Sequence, residues 1–175
     1  MAVTTGLISR MIRAMKLEAA LYEEVEGDKS ANVQAGLVVL IVSIAAAIGA
    51  GLSGVSGGFL AAVWGLVLAL LGWLLWALVV YLIGAKLIKG KQTQSSWGEV
   101  ARTIGFANSP GVFSILAFIP VLGAIISLVV FIWSLIAGII GVRAALDFST
   151  TRAVITVVIG WLVMFLLRLL LPIPF

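Results

Sequence analysis

Two long stretches without a charged residue constrain the fold more than any other feature of this sequence. They cover 30–85 and 103–142. The charged residues lie instead in three short clusters at 10–29, 86–102 and 143–152, with Arg168 alone outside them. A soluble domain spreads its charges over its surface, whereas a bilayer core excludes each Asp, Lys or Arg at about 2.5–3.5 kcal/mol at a helix centre. The charge map therefore predicts a polytopic membrane protein.

Composition excludes several chemistries. The chain has no Cys and no His, so thiol catalysis, imidazole general-base chemistry and metal or haem ligation by either residue are excluded. No phosphate-binding or dinucleotide-binding motif is present. We therefore expect a protein that is not an enzyme and has no catalytic residue, metal site or cofactor. The net charge of +4 does not indicate nucleic-acid binding, because the basic residues lie at the ends of apolar segments rather than on one polar face.

The fold class predicted is all-α, a polytopic bundle of five transmembrane helices. A spanning helix needs about 20 apolar residues, so the two charge-free stretches accommodate two spans each and the last apolar run one. Turn-forming residues at 51–58 divide the first stretch. Pro120 divides the second, because proline lacks the amide hydrogen that continues a helix. The predicted membrane domain covers 33–175, with spans at about 33–53, 60–83, 103–119, 121–142 and 153–171.

The basic residues predict the orientation. Lys and Arg number four before the first span, none in the next loop, then four, none, two and one. By the positive-inside rule, this alternation places the N-terminus in the cytoplasm and the C-terminus outside the cytoplasmic membrane. We expect no secretory signal peptide, because the first long apolar run begins only near Val33.

Residues 1–32 are predicted to form a separate cytoplasmic element, an amphipathic helix followed by an acidic turn at 23–28. One helical arc carries Leu7, Ile8, Met11, Ile12, Met15, Ala19 and Tyr22, and the opposite side carries Arg10, Arg13 and Lys16. This pattern is typical of a helix lying in the membrane interface, with the three basic residues against anionic lipid headgroups. The alternative is a helix docked on the cytoplasmic face of the protein itself, and the two can hold together.

The third predicted span contains a helix break at Asn108, Ser109 and Pro110. Proline frees a carbonyl one turn earlier and restricts the preceding residue to extended geometry. Broken helices at membrane depth occur only where protein or a water cavity surrounds them. One interpretation is a ligand or ion site of the kind found in transporters. The other is a packing kink whose freed backbone is bonded by Asn108 or Ser109.

Small residues and mid-span tryptophans form a candidate interface. The small residues are Ala45 and Gly49 in the first span and Gly138 and Gly141 in the fourth, and such surfaces let helices approach closely. Trp73 and Trp76 share a face in the middle of the second span, whereas Trp usually prefers the membrane interface. The small residues either pack the monomer internally or form a partner interface. The two tryptophans either pack in the core or contact a partner protein, a pigment or a lipid.

The order and spacing of short motifs resemble the Yip-domain family of five-span membrane proteins, most closely its short prokaryotic members. The motifs are Leu21–Ala31 with Gln34-Ala35, Gly72-Trp73, Leu82-Ile83-Gly84, Lys89-Gly90-Lys91, Trp97 to Thr103, Gly105–Pro110, Pro120–Gly123, Trp133, Val142–Leu146 and Thr151-Arg152-Ala153. Eukaryotic members are linked to Rab GTPases, vesicle traffic and membrane shaping. This chain has Gly105-Phe106 where those members carry Gly-Tyr, and we do not expect Rab binding from it.

We therefore expect a non-enzymatic integral membrane protein that acts as a scaffold, a membrane organiser or an accessory subunit of a larger membrane complex. Its partners are the lipid bilayer, anionic headgroups above all, and other membrane proteins or further copies of itself. The alternative is a small transporter or channel that uses the broken third span.

Overall fold

The computed structural model describes residues 6–54, 57–88 and 95–170. Within those ranges the chain is helical and forms no strand. The α-helices are α1 Leu7–Met15, α2 Ala19–Gly27, α3 Ala31–Leu52, α4 Gly58–Tyr81, α5 Trp97–Ala107, α6 Leu122–Ala145 and α7 Thr150–Leu170. A π-helical segment, Leu82–Leu87, extends α4, and a 3-10 helix, Ser109–Phe118, follows α5. The predicted loop residues 55–56, Lys89 and Lys91, and the last residue of the predicted fifth span lie outside the described ranges.

Among the described residues, four helices are long and apolar enough to cross a membrane: α3, α4 with its π extension, α6 and α7. All four begin within three residues of the predicted spans, because an apolar run about 20 residues long specifies its own helix. The predicted span at 103–119 differs, since α5 covers only its first part and the 3-10 helix the remainder. A 3-10 helix rises about 2 Å per residue and an α-helix about 1.5 Å, so the two together are about as long as α6.

The centre of the bundle is α5. Its N-terminus is fixed by a capping box, in which Ser96 and Glu99 each bind the other's backbone amide. Every residue from Val100 to Ala107 is buried. The α5 helix and the 3-10 helix run alongside α3, and glycines bring the backbones together at Gly105 against Ala35 and at Gly49 against Ser114.

Two helices end in the same left-handed turn. In α1, the amide of Glu18 donates to the carbonyl of Arg13, and Leu17 adopts a φ of 60°. In α6, the amide of Phe148 donates to the carbonyl of Arg143, and Asp147 adopts a φ of 50°. This is the Schellman arrangement, which satisfies the last carbonyls of a helix and reverses the chain.

The N-terminal prediction needs two corrections. The apolar arc from Leu7 to Tyr22 is not one helix, because the turn at Leu17 separates α1 from α2 and places Ala19 and Tyr22 on the second helix. The acidic residues at 23–27 are not a turn either, since α2 continues to Gly27. The helical period persists across the turn, so it cannot reveal where the chain reverses. Together α1 and α2 form an N-terminal hairpin.

Candidate functional site

The helix break lies where Asn108, Ser109 and Pro110 join α5 to the 3-10 helix. The side-chain amide of Asn108 donates to the carbonyl of Ile104 at 2.8 Å, and the hydroxyl of Ser109 donates to the carbonyl of Phe106 at 2.7 Å. The Phe106 carbonyl is the one that Pro110, four residues on, leaves without its helical partner. The polar side chains at the break therefore bond the backbone that the break exposes, as the packing-kink interpretation requires.

Two cavities flank the break. One, of about 180 Å³, lies beside α6 and α7, where Ser134 and Trp161 contribute to its wall. The other, of about 250 Å³, lies beside α3, where Ser43 contributes. Asn108 and Trp76 line both cavities. The break is thus enclosed by protein and bordered on two sides by small, partly polar spaces.

Both central tryptophans pack against neighbouring helices. The indole N–H of Trp73 donates to the carbonyl of Ala101 on α5 at 2.9 Å. Trp76 lies over Gly160 of α7, where a Cβ atom would stand 2.9 Å from its ring. These contacts join α4 to α5 and to α7. They favour core packing, which uses the polar end of Trp73 inside the bundle.

The small residues divide between internal packing and cavity lining. Ala45 and Gly49 are buried, and a Cβ at Gly49 would overlap the Ser114 carbonyl oxygen. Gly141 is buried too, with 3.3 Å between its Cβ position and the Tyr22 ring. All three residues are therefore buried within the chain, with the 3-10 helix against Gly49 and the hairpin against Gly141, which favours internal packing over a partner interface. Gly138 borders the smaller cavity.

Arg10 does not face lipid headgroups, which corrects the prediction for it. Its guanidinium is 2% exposed and donates to Glu24 at 3.0 Å, Gln34 at 2.9 Å and Asp28 at 2.7 Å. The reason is tertiary: the hairpin turn and the start of α3 bring two carboxylates and an amide around one cation. These contacts show that α1 is held by the protein itself, as the docked-helix alternative requires; its place on the cytoplasmic face stays a prediction.

Arg13 and Lys16 differ from Arg10 in exposure. Arg13 is paired with Glu18 at 2.9 Å and with Glu24 at 2.6 Å, so its charge is also met within the hairpin. Lys16 is exposed at the end of α1. Contact between Lys16 and headgroups stays a prediction.

Arg102 holds the other end of the hairpin. Its guanidinium is 4% exposed and donates to the carbonyls of Val25 and Glu26 and to the side chain of Asn32. Carbonyls in the last turn of a helix lack helical partners and carry partial negative charge, so a cation there stabilises the helix end. Arg102 therefore caps α2.

Two carboxyl groups where α2 ends have shifted pKa values of opposite sign. Hydrogen bonds from Ser30 and from Arg10 lower the pKa of Asp28 to about 2. Burial, and then the nearby carboxylates of Glu23 and Asp147, raise the pKa of Glu26 to about 7. Within the described ranges, no group of three or more acidic residues is arranged to hold a metal ion. This end of the hairpin therefore combines one firmly ionised carboxylate with one that titrates near neutrality.

Sequence reasoning missed two contacts that position the hairpin. Arg102 meets Val25 across 77 residues, and the indole N–H of Trp133 donates to the carbonyl of Met15 across 118 residues at 2.8 Å. Spacing rules apply within a helix and carry no information at such separations. The sequence gives only an indirect indication. Arg102 and Trp133 lie in or beside predicted spans, and a polar group that is buried in a bundle needs a hydrogen-bond partner.

The Yip1 domain family matches residues 20–171 of the chain. The chain belongs to this family. The match begins in α2 and ends just after α7, so it includes the second half of the hairpin together with every membrane-length helix. No curated protein and no solved structure matches the chain. The family and the four membrane-length helices make this a Yip1-domain membrane protein.

Proposed function

We propose that this Yip1-domain protein is a non-enzymatic scaffold or membrane organiser, or an accessory subunit of a larger complex. It is integral to the cytoplasmic membrane and crosses it five times, with the N-terminus in the cytoplasm and the C-terminus outside. The crossing added to the four membrane-length helices is the third along the chain, made by α5 and the 3-10 helix. The distribution of Lys and Arg supports this orientation, because basic loops alternate with uncharged ones along the chain.

One observation carries the proposal: the polar side chains inside the bundle are used to hold it together. Asn108 and Ser109 bond the backbone of their own helix, and Trp73 bonds α5. Arg10 and Arg102 bind the hairpin to α3 and α5. Such groups determine a shape, and a fixed shape presented to lipid and to neighbouring proteins is what a scaffold contributes.

The surface available to partners is apolar. On α6 and α7, Phe131 and Trp161 stand side by side with ring centroids 5.5 Å apart, and both are exposed. Aromatic residues are enriched in protein interfaces and supply large contact area with little loss of side-chain freedom. Lipid tails can cover the same surface, so a measurement of association distinguishes a protein partner from lipid.

The test is purification in a mild detergent from the native membrane at native expression. A scaffold or subunit should migrate on a native gel with a stoichiometric partner or as a homo-oligomer. A Phe131→Ala/Trp161→Ala variant should lose that association. The matched control is Leu162→Ala, an exposed residue next to Trp161. A protein that runs as a lone monomer would count against the proposal.

A small transporter or channel is the second candidate, and the two cavities at Asn108 and Trp76 favour it. This function predicts substrate flux in liposomes through the broken third span. Asn108→Ala should then change the flux with little loss of fold. The candidate is eliminated if a broad substrate screen detects no flux.

A further inference from the structure

The N-terminal hairpin reaches the middle of the bundle. Trp133, whose indole bonds the Met15 carbonyl, is the twelfth of the 24 residues of α6. It stands ten residues before Arg143, a distance of about 15 Å along a helix. A bilayer core is about 30 Å thick, so 15 Å from one side is near its midplane.

The packing of α1 shows that the helix runs inward from the rim. Arg10 bonds Gln34 in the first turn of α3, at the end of the bundle where the basic loops lie. From there α1 descends, and Met11 and Ala14 join a buried cluster with Phe106 and Ala137. The helix also packs against the 3-10 helix, which lies beyond the break. A helix lying flat on the rim of the bundle would not reach Phe106, Ala137 or the 3-10 helix.

The deepest part of the hairpin is charged. Its tip consists of Lys16, Leu17 and Glu18, between the two helices. Lys16 is exposed, and the side chain of Glu18 is 40% exposed although it pairs with Arg13. Leu17 packs against the buried cluster, so the tip is held by its apolar residue while its charges point outward.

Charges at that depth conflict with an undisturbed bilayer. A charged side chain at the bilayer centre costs about 2.5–3.5 kcal/mol on insertion scales, and the cost falls when water or thinned lipid reaches it. The stem of a lysine has only four carbons and does not extend from the midplane to the headgroups. Water and headgroups must therefore come to the tip.

We propose that the cytoplasmic leaflet is thinned beside the hairpin, so that water and phospholipid headgroups descend to its tip and Lys16 contacts the lipid phosphates. The hairpin is then a re-entrant element, and its polar side is an interaction surface for phospholipids. This inference rests on the membrane insertion in the proposed function but not on the existence of a protein partner.

The absence of native Cys allows single-cysteine variants to test the proposal. The variants are K16C at the tip, K29C as the rim reference and I132C as the depth control, since Ile132 adjoins Trp133 and is 46% exposed. In inside-out vesicles, a membrane-impermeant maleimide should label K16C about as fast as K29C. It should label I132C at least about tenfold more slowly, because each unit by which apolar surroundings raise a thiol's pKa removes about nine-tenths of the thiolate.

Two further measurements on the same variants determine where the tip lies. Spin labels at 16 and 132 in a double-cysteine variant should be closer together than labels at 16 and 29. A spin label at 16 should broaden the ³¹P resonance of lipid phosphate in liposomes, and a label at 132 should not. K16C that is labelled no faster than I132C overturns the proposal, as does a tip far from position 132. Labelling of K16C without ³¹P broadening overturns the lipid contact, because water would then fill a cleft in the protein.

The membrane face from which K29C is labelled tests the proposed orientation separately from this inference. If K29C is labelled only from the opposite face, the proposed orientation is wrong while the comparison of K16C with I132C still stands. A protein without partners likewise leaves the labelling results unchanged.

Discussion

Replacing Arg10 by Met removes the cation that ties the hairpin to the membrane domain. Methionine keeps the unbranched apolar stem and loses the guanidinium, so the packing of α1 changes little. Arg10 is 2% exposed, and its three partners, Glu24, Asp28 and Gln34, lie on α2, on the turn after it and on α3. The substitution therefore tests the polar contacts of the Arg10 guanidinium rather than the packing of α1.

The cost follows from what the partners lose. Breaking a buried ion pair by removing one partner typically costs about 3–5 kcal/mol, because the other charge stays without compensation. Here Glu24 and Asp28 are 22% and 29% exposed, and Glu24 keeps Arg13, so water and the second arginine recover part of the loss. We expect Arg10→Met to cost about 3 kcal/mol, the lower end of that range.

The assay is thermal unfolding of the purified protein in detergent. A loss of about 3 kcal/mol corresponds to a decrease in Tm of about 6–12 °C for a chain of this size. The matched control is Lys16→Met, which removes a cation from the same helix at an exposed position and should change stability by less than about 0.5 kcal/mol. Equal Tm values for Arg10→Met and Lys16→Met would refute the reasoning.

The pH dependence of the stability gives a second measure of the contact between Arg10 and Asp28. Hydrogen bonds from Ser30 and Arg10 hold the pKa of Asp28 at about 2, below its ordinary value of 3.8. A carboxyl group whose pKa is lowered by folding contributes stability that is complete above 3.8 and is lost as the pH falls toward 2. Arg10→Met should make the stability fall less steeply over that interval.

Three further substitutions test other contacts. Arg102→Met should lower the free energy of unfolding by about 2–4 kcal/mol, because buried α2 carbonyls lose a charged donor, and Arg102→Lys should recover only part of this in the same melts. Gly49→Ala should cost about 1–3 kcal/mol through overlap with the 3-10 helix, whereas Gly51→Ala, which meets open space in the same helix, should cost nothing. Asp147→Gly should stabilise by about 1 kcal/mol, since only glycine adopts its positive φ without strain. The same substitution removes a carboxylate near Glu26 and should lower the pKa of Glu26. Urea unfolding at a series of pH values should then show a smaller loss of stability between pH 4.5 and 7.

The membrane-length helices could be predicted because their signals are local. An apolar run of span length, bounded by charges or by Pro120, specifies its own helix whatever its neighbours do. The starts of α3 and α6 accordingly lie within two residues of prediction. The same holds for the break at Pro110, where the loss of one amide hydrogen changes the local helix type.

The hairpin and the contacts that hold it could not be predicted in the same way. A 3.6-residue period continues through Leu17, so the sequence shows one amphipathic helix where the chain makes two. Three basic residues on one helix face are typical of a membrane-surface helix, yet Arg10 finds carboxylates that the turn brings within 3.0 Å. Pairings between residues far apart in sequence depend on how the helices pack, and periodicity carries no record of that packing.

We propose that this Yip1-domain protein acts by its fixed shape and its contacts rather than by catalysis or transport. The most direct measurement is native-gel migration of the protein gently solubilised from its own membrane, with mass spectrometry of the band. We expect a stoichiometric partner or a homo-oligomer, and we expect Phe131→Ala/Trp161→Ala to disrupt that association. A lone monomer that conducts a substrate in liposomes, with flux altered by Asn108→Ala, would contradict it.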